Sequence, residues 1–144
     1  MSSQRYDHDD SEIVPQAENT AAYPDDNPKT VFGLAKPGLS AIPPVALLEL
    51  GRAMECGRRK YGLMNWRGKR VSSSVYYDAA LRHLLAWWDG EDIAADSHIL
   101  HLSHAMACLS ILIDANVSGA LNDDRPMPGT AADLIAVLTG EVSE

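Results

Sequence analysis

The sequence predicts an all-α protein in which the helices pack as a bundle. Three segments of the 144-residue chain carry apolar residues at helical spacing, each bounded by residues that start or stop helices. The alternation of apolar and polar residues that is typical of strands is absent. The 46% of hydrophobic residues is typical of a globular protein, and the length fits one domain.

The chain is expected to divide into an arm, a helical domain and a C-terminal tail. Residues 1–30 predict a mobile acidic arm, because Asp, Asn, Ser and Pro are frequent and the apolar residues have no period. Residues 31–120 are expected to form the helical domain, which opens with a loop too rich in Gly and Pro for a long helix. A linker and a short helix are expected over 121–144.

Start and stop signals locate the three long helices. The first is predicted in PPVALLELGRAMECGRRKYG, which begins at prolines suited to a first turn and ends at Gly62. The stretch LMNWRGKRVSSS is interpreted as a connecting loop. The second helix is predicted in SVYYDAALRHLLAWWDG, with serines as caps and Gly90 at its end. The third, HILHLSHAMACLSILIDA, is expected to follow caps at Asp96 and Ser97.

The apolar stripes of the second and third predicted helices are too wide for one small monomer to cover. We therefore expect the chain to form a homo-oligomer, a dimer or a tetramer, that completes a larger bundle.

The sequence contains no feature of export or of membrane insertion. No run of about 18 apolar residues occurs, and the start, MSSQRYDHDD, lacks the apolar stretch of a secretory signal. Cys56 and Cys108 lack the spacing of metal ligands and are expected to be reduced thiols. The sequence therefore predicts a cytoplasmic protein that does not interact with membranes.

Charge is distributed unevenly along a chain of net charge −8. Residues 31–70 contain eight bases and two acids, whereas residues 71–144 contain two bases and eleven acids. A basic block followed by an acidic one suits a site for a phosphate and a divalent ion, although two solvated faces would give the same pattern. The negative overall charge and the short basic block argue against nucleic-acid binding.

The segment GEDIAADSHILHLSHA, residues 90–105, concentrates carboxylates and imidazoles. On a helix, His98, His101 and His104 would share one face. Such groups suit Mg²⁺ or Mn²⁺, or Zn²⁺ where histidines dominate. Helix caps and a hydrogen-bonded core cluster are the structural alternatives. The candidate metal ligands are Asp78, Glu91, Asp92, Asp96, His101 and His104, and the candidate catalytic residues are Glu91, Asp92 and His104.

The basic half of the sequence indicates a nucleotide pocket. It combines cations for phosphate, aromatic rings for stacking on a base and an amide for a base edge. The alternative is a solvated loop with Trp66 in the core. Neither a Walker loop nor a G-x-S-x-G elbow occurs, so water activated by a metal is favoured over a covalent nucleophile. The candidate substrate-binding residues are Lys36, Lys60, Tyr61, Asn65, Trp66, Arg67 and His83.

Several motifs resemble the bacteriophage dATP/dGTP diphosphohydrolase family. They are K-P near the start, K-Y-G-x-x-N-W, R-H-L-L-A-W-W-x-G-E-D-I and H-L-x-H, within residues 34–115. That family is similar to the all-α MazG-like nucleotide pyrophosphohydrolases, which implies a helical bundle, Mg²⁺ or Mn²⁺, and cleavage between the α and β phosphates. The usual MazG-like metal set is E-x-x-E and E-x-x-D. This chain instead has His101-Leu-Ser-His104, preceded by Asp78 and His83.

The resemblance implies a Mg²⁺- or Mn²⁺-dependent hydrolase that converts dGTP or dATP to the monophosphate and pyrophosphate in phage nucleotide metabolism. Two other functions stay open. One is a triphosphohydrolase that releases tripolyphosphate, although no His-Asp pair occurs after residue 30. The other is a non-catalytic helical module that binds a nucleotide or a protein.

Overall fold

The computed structural model describes residues 27–127 and 129–140, and within these ranges the fold is mainly helical, as predicted. Residues 1–26, which make up most of the predicted acidic arm, lie outside the described residues. None of the described helices combines the length and apolar character needed to cross a membrane. The elements are α1 (Pro28–Leu34), α2 (Pro44–Tyr61), α3 (Asn65–Lys69), β1 (Val71–Ser72), α4 (Ser73–Trp88), α5 (His101–Val117), β2 (Leu121–Asn122) and α6 (Ala131–Thr139).

Helix α2 confirms the first predicted long helix. Pro44 occupies its first turn, where a missing N–H costs nothing. The helix ends before Gly62, whose φ of 97° favours glycine. Three basic residues in the last turn stabilise the negative end of the helix dipole. They also place most of the positive charge of α2 at one end.

The segment predicted as a loop between α2 and α4 contains the short helix α3 and the strand β1, so that interpretation was wrong. Strand β1 pairs in parallel with β2, with Val71 opposite Leu121. Two-residue strands are too short to produce a recognisable alternation. Because β1 precedes α4 and β2 follows α5, the pairing brings the start of α4 beside the end of α5. The two helices therefore run antiparallel.

The start of α4 is not capped by its own serines, contrary to expectation. Ser72 occupies the cap position, but its hydroxyl makes no capping hydrogen bond to the helix and instead accepts from the side-chain amide of Asn122 at 3.0 Å. Asp124, which follows β2, instead accepts hydrogen bonds from the backbone N–H of Ser74 at 2.8 Å and from its hydroxyl at 2.6 Å. A carboxylate is favourable at this positive end of the helix. The pairing of β1 with β2 brings it there.

Helix α5 starts at His101, three residues later than predicted, and Asp96 and Ser97 do not cap it. Ile93 and Leu100 form an antiparallel bridge, and the N–H of His101 bonds to the carbonyl of Asp92 at 2.9 Å. Inside this turn His98 has a φ of 56°, which is incompatible with a right-handed helix. The prediction that His98 shares a helix face with His101 and His104 was therefore wrong.

The interior is built mainly from small residues. One cluster joins Trp66, Val71, Ala115 and Ala120, and alanines of α2 and α5 form the centre of the other. Small side chains allow helices to approach closely, which brings α2 and α4 against α5. Many large apolar side chains consequently stay at the surface of the chain. They include Val45, Leu47, Leu48, Leu85, Trp88, Leu109, Ile113 and Val117.

Candidate active-site cleft

A cleft of about 240 Å³ opens between α2, α3, α4 and α5. One side carries Lys60 and Tyr61 from the end of α2, and Asn65 from the start of α3. The other side carries His83 from α4 and His104 from α5. The structure thus brings the predicted nucleotide-binding segment and two of the predicted histidines to one place. The proximity of these segments could not be derived from either segment alone.

Helical spacing explains which side chains reach the cleft. On α4, Tyr76 and His83 are seven residues apart and share a face, and on α5 the same holds for His104 and Ile111. The alanines and the glycine of α2 and α5 that line the cleft leave space between the helices. The cleft and the close packing of the helices therefore both depend on the small residues where α2 contacts α5.

Three imidazoles, those of His83, His101 and His104, form a histidine cluster beside the cleft. The Nδ1 atoms of His83 and His101 are 2.8 Å apart. The ring of His83 stacks on that of His104, with centroids 4.7 Å apart and an angle of 15° between the planes. On its other side, His104 Nε2 lies 2.7 Å from the hydroxyl of Ser97. The rings are thereby held in a defined orientation.

His101 is the buried member of the histidine cluster. Its Nε2 atom makes no hydrogen bond within the described part of the chain, and it lies 3.5 Å from a carboxylate oxygen of Glu91. A nearby carboxylate favours a proton on Nε2. Of the two facing Nδ1 atoms of His83 and His101, one donates and the other accepts, according to the tautomers of the two rings. Glu91 thus places a carboxylate beside the buried side of the histidine cluster.

Burial sets the protonation of the two other rings. Burial, followed by the neighbouring imidazoles, lowers the pKa of His83 below its ordinary value of 6.5. Burial also lowers the pKa of His104, with a contribution from Lys60, while Asp96 opposes the shift. Both rings are therefore mainly neutral at pH 7, and a neutral imidazole can accept a proton.

A second polar group, which we call the anchor, joins α3 to α5 and consists of Trp66, Arg67 and Asp114. The carboxylate of Asp114 accepts from the indole N–H of Trp66 at 2.6 Å and from two guanidinium nitrogens of Arg67 at 2.8 and 2.5 Å. Trp66 is only 7% exposed. These hydrogen bonds lower the pKa of Asp114 to about 2. Trp66 therefore combines the two predicted roles, core residue and cleft wall.

The predicted metal ligands are not gathered into one cluster. Asp92 contacts His101 through its backbone carbonyl, and the carboxylate of Asp96 lies 3.8 Å from the amine of Lys60. Asp78, Glu91, Asp92, Asp96 and His101 are absent from the cleft lining. The three imidazoles of the histidine cluster contact one another, but within residues 27–127 and 129–140 no group of three His, Cys, Asp or Glu side chains is arranged so that it could hold a metal ion.

Two of the predicted phosphate-binding cations do not line the cleft. Lys36 lies in the connection between α1 and α2, and it is absent from the cleft lining. Arg67 is likewise absent from the lining and pairs with Asp114. Lys60 is the predicted cation that does reach the cleft.

Sequence reasoning missed the contributions of Asp114, Ser97 and Tyr76. An acid within the apolar run SILIDA was a signal for Asp114, because such a carboxylate requires a partner. Tyr76 could have been found from its seven-residue spacing to His83. Ser97 was interpreted as a helix cap, and no local pattern indicates its contact with His104.

Comparison with known proteins identifies the family. The family described as dATP/dGTP diphosphohydrolase, N-terminal, matches residues 26–125. A protein of Salmonella phage PMBT28, named dATP/dGTP diphosphohydrolase, is 30% identical over 94 residues, which are 65% of this chain and 32% of that protein. The chain thus spans about a third of the length of this relative. No solved structure matches. The cleft residues, which fall between 53 and 111, lie within the matched range, and the chain belongs to the dATP/dGTP diphosphohydrolase N-terminal family.

Proposed function

We propose that this chain hydrolyses purine deoxynucleoside triphosphates, dGTP or dATP, to the monophosphate and pyrophosphate. The observation that carries the proposal is the cleft in which Lys60, Tyr61 and Asn65 face His83 and His104. Its chemistry suits a nucleotide, because it offers a cation, a ring and an amide beside neutral proton acceptors. The name of the phage relative supports the substrate class and the release of diphosphate.

In the proposed reaction, water attacks the α-phosphorus. The bond from that phosphorus to the oxygen that bridges the α and β phosphates breaks, and pyrophosphate leaves. His104 takes up the proton of the water, since its ring is neutral and is held by Ser97. Lys60 stabilises the charge that develops on the phosphate oxygens. Glu91 is a positioning residue that acts through His101. Tyr61 and Asn65 bind the base.

Dependence on Mg²⁺ or Mn²⁺ is a separate part of the proposal. The described residues do not fit a metal site built by this chain alone, because no three suitable side chains converge. No step of the proposed reaction is therefore carried by the ion. Any requirement for a metal would be met together with the phosphates of the substrate, with residues outside the described ranges or with a second chain.

Product analysis tests the proposed function. We would incubate the purified chain with dGTP or dATP and Mg²⁺ or Mn²⁺, and resolve the nucleotide and phosphate products. We expect dGMP or dAMP and pyrophosphate. Release of tripolyphosphate would assign a triphosphohydrolase instead. Stable nucleotide binding without turnover, with Mn²⁺ present, would make the chain a binding module.

We also propose that the chain forms a homo-oligomer. Large apolar side chains, such as Trp88, which is 79% exposed, stand at the surface of α2, α4 and α5. Monomeric proteins rarely leave large contiguous apolar surfaces uncovered. Light scattering after size exclusion should give a mass of at least twice 15.6 kDa. A single species of 15.6 kDa would contradict this proposal.

A further inference from the structure

A second cavity adjoins the cleft along the face of α2. This groove of about 690 Å³ lies between α2 and the turn that precedes α5. Lys60 and Cys56 line both cavities, so the two are adjacent. The cleft alone, with about 240 Å³, is smaller than ordinary ligand pockets, which begin at about 300 Å³. A whole nucleotide therefore needs more room than the cleft provides.

The charged side chains that line the groove are mainly basic, and leucines of α2 form much of the remaining wall. Arg52, Arg59 and Lys60 line it from one side of α2, and Glu55 is the acid among them. These three cations are seven and eight residues apart, so they follow one helix face. Phosphate oxygens are bound most strongly by such charge-assisted hydrogen bonds.

The existing contacts leave Arg59 available to a ligand. Glu55 is already held by Arg58, whose two nitrogens lie 2.6 and 2.7 Å from its carboxylate. Arg59 reaches the same carboxylate through one nitrogen at 3.2 Å, and its side chain is 74% exposed. An exposed ion pair of this kind contributes little stability, so it can be exchanged for a phosphate.

We infer that the groove is the polyphosphate subsite of the nucleotide site, an inference that rests on the proposed function. The base and sugar occupy the cleft, and the phosphates pass Lys60 and extend along Arg59 toward Arg52. Arg67, which the sequence indicated for this role, lines neither cavity. Arg52 lines the groove and also pairs with Glu49 at 2.8 Å, an exposed contact that a phosphate has to replace.

The position of Ser97 agrees with this arrangement. Ser97 lines the groove and His104 lines the cleft, and the two side chains are 2.7 Å apart. The pair thus stands where the cavities meet. The α-phosphate, which joins the nucleoside to the rest of the triphosphate, would lie at the same place. His104 is then beside the phosphorus that water attacks.

The groove can be tested with inorganic tripolyphosphate, which lacks the base and cannot occupy the cleft specifically. We would measure its Kd, and that of deoxyguanosine, by titration calorimetry on the full chain. Arg59→Ala and Arg52→Ala should each weaken tripolyphosphate binding by about tenfold, the loss of one charge-assisted contact. Deoxyguanosine binding should stay unchanged.

Two further variants distinguish a specific loss of the groove from misfolding or from a general loss of positive charge. Arg125→Ala is the matched control, since Arg125 is 73% exposed, pairs with Asp123 and lines neither cavity. It should leave the Kd unchanged. Glu55→Gln removes the acid of the groove and releases Arg59, so it should tighten tripolyphosphate binding severalfold. Misfolding cannot produce such a gain.

Equal losses in Arg59→Ala and Arg125→Ala would overturn the subsite, as would the absence of tripolyphosphate binding to the unmodified chain. Hydrolysis of dGTP separates the subsite from the proposed function. Turnover with an unchanged KM in Arg59→Ala would refute the groove and retain the activity. Tripolyphosphate binding at Arg59 without any turnover would retain the anion site and refute the activity.

Discussion

Helix α5 carries Asp114 of the anchor near its C-terminal end, and it carries His101 and His104 of the histidine cluster near its N-terminal end. The two groups differ in how the hydrogen-bonding capacity of their polar atoms is used. In the anchor, the carboxylate of Asp114 receives three hydrogen bonds from Trp66 and Arg67. In the histidine cluster, the rings contact one another, and Nε2 of His101 makes no hydrogen bond within the described ranges.

This difference separates structural from chemical roles. A group whose hydrogen-bonding capacity is used inside the protein stabilises one arrangement of the backbone and offers little to a ligand. A buried polar atom without a partner is rare and calls for an explanation, and pKa values displaced by burial are frequent at functional sites. We therefore assign fixation of α3 to the anchor, and we propose proton transfer as the role of the histidine cluster.

The largest effect is expected from His104→Ala, which removes the proton acceptor. The kcat for dGTP should fall about 100-fold or more, the usual contribution of acid–base catalysis, while KM changes little. The control is His98→Asn. It alters an exposed residue of the same segment and tolerates the positive φ at this position. If His104→Ala kept most of its activity, another group would have to take the proton.

Asp114→Ala should have the next largest effect, on stability. It leaves the buried indole N–H of Trp66 without a partner, which costs about 1–3 kcal/mol of unfolding free energy. Asp123→Ala is the control, because it breaks a similarly short but exposed pair with Arg125. That change should cost less than about 1 kcal/mol. Urea denaturation measures both, and equal losses would contradict the assignment of the anchor.

The two groups should also respond to pH in different windows. The unfolded chain binds more protons than the folded one at His83 and His104, since their folded pKa values are lowered below 6.5. Their contribution to stability is thus present above about pH 6.5 and is lost as the pH falls below it. For Asp114 the same reasoning places the loss between pH 3.8 and about 2.

Melting temperatures recorded as a function of pH test these windows. His104→Ala should reduce the slope of melting temperature against pH below pH 6.5. Asp114→Ala should reduce only part of that slope in strong acid. Glu55 and Asp123, whose pKa values are also lowered to about 2, contribute to the same acidic window. A histidine variant that changes the acidic slope alone would reverse the assignment.

The smallest effect is expected from a divalent ion alone. Because no three ligands converge in the described part of the chain, Mn²⁺ without nucleotide should leave the melting temperature unchanged. Mn²⁺ with a nonhydrolysable dGTP analogue should raise it by mass action. A clear shift with Mn²⁺ alone would indicate a metal site assembled by the protein, through residues outside the described ranges or through a second chain.

The accuracy of the predicted helix bounds differs along the chain. The α2 helix was predicted closely, since its prolines, apolar period and terminal glycine act within a few residues of one another. The start of α5 was not, because a bridge between Ile93 and Leu100 overrides the local cap signals at Asp96 and Ser97. His98 therefore lies in the turn before α5 and not within the helix.

The sequence by itself determined the helical class and the bounds of α2 and α4, and it singled out part of the polar lining of the cleft. Apolar periodicity and the Pro and Gly signals at helix ends are local properties, so they are readable without a structure. Only the tertiary structure decided the partners. Asp114 bonds to Trp66 across 48 residues and Asp124 to Ser74 across 50. Such pairings depend on how the helices pack and on which buried polar groups need satisfaction, and neither is a local property of the chain.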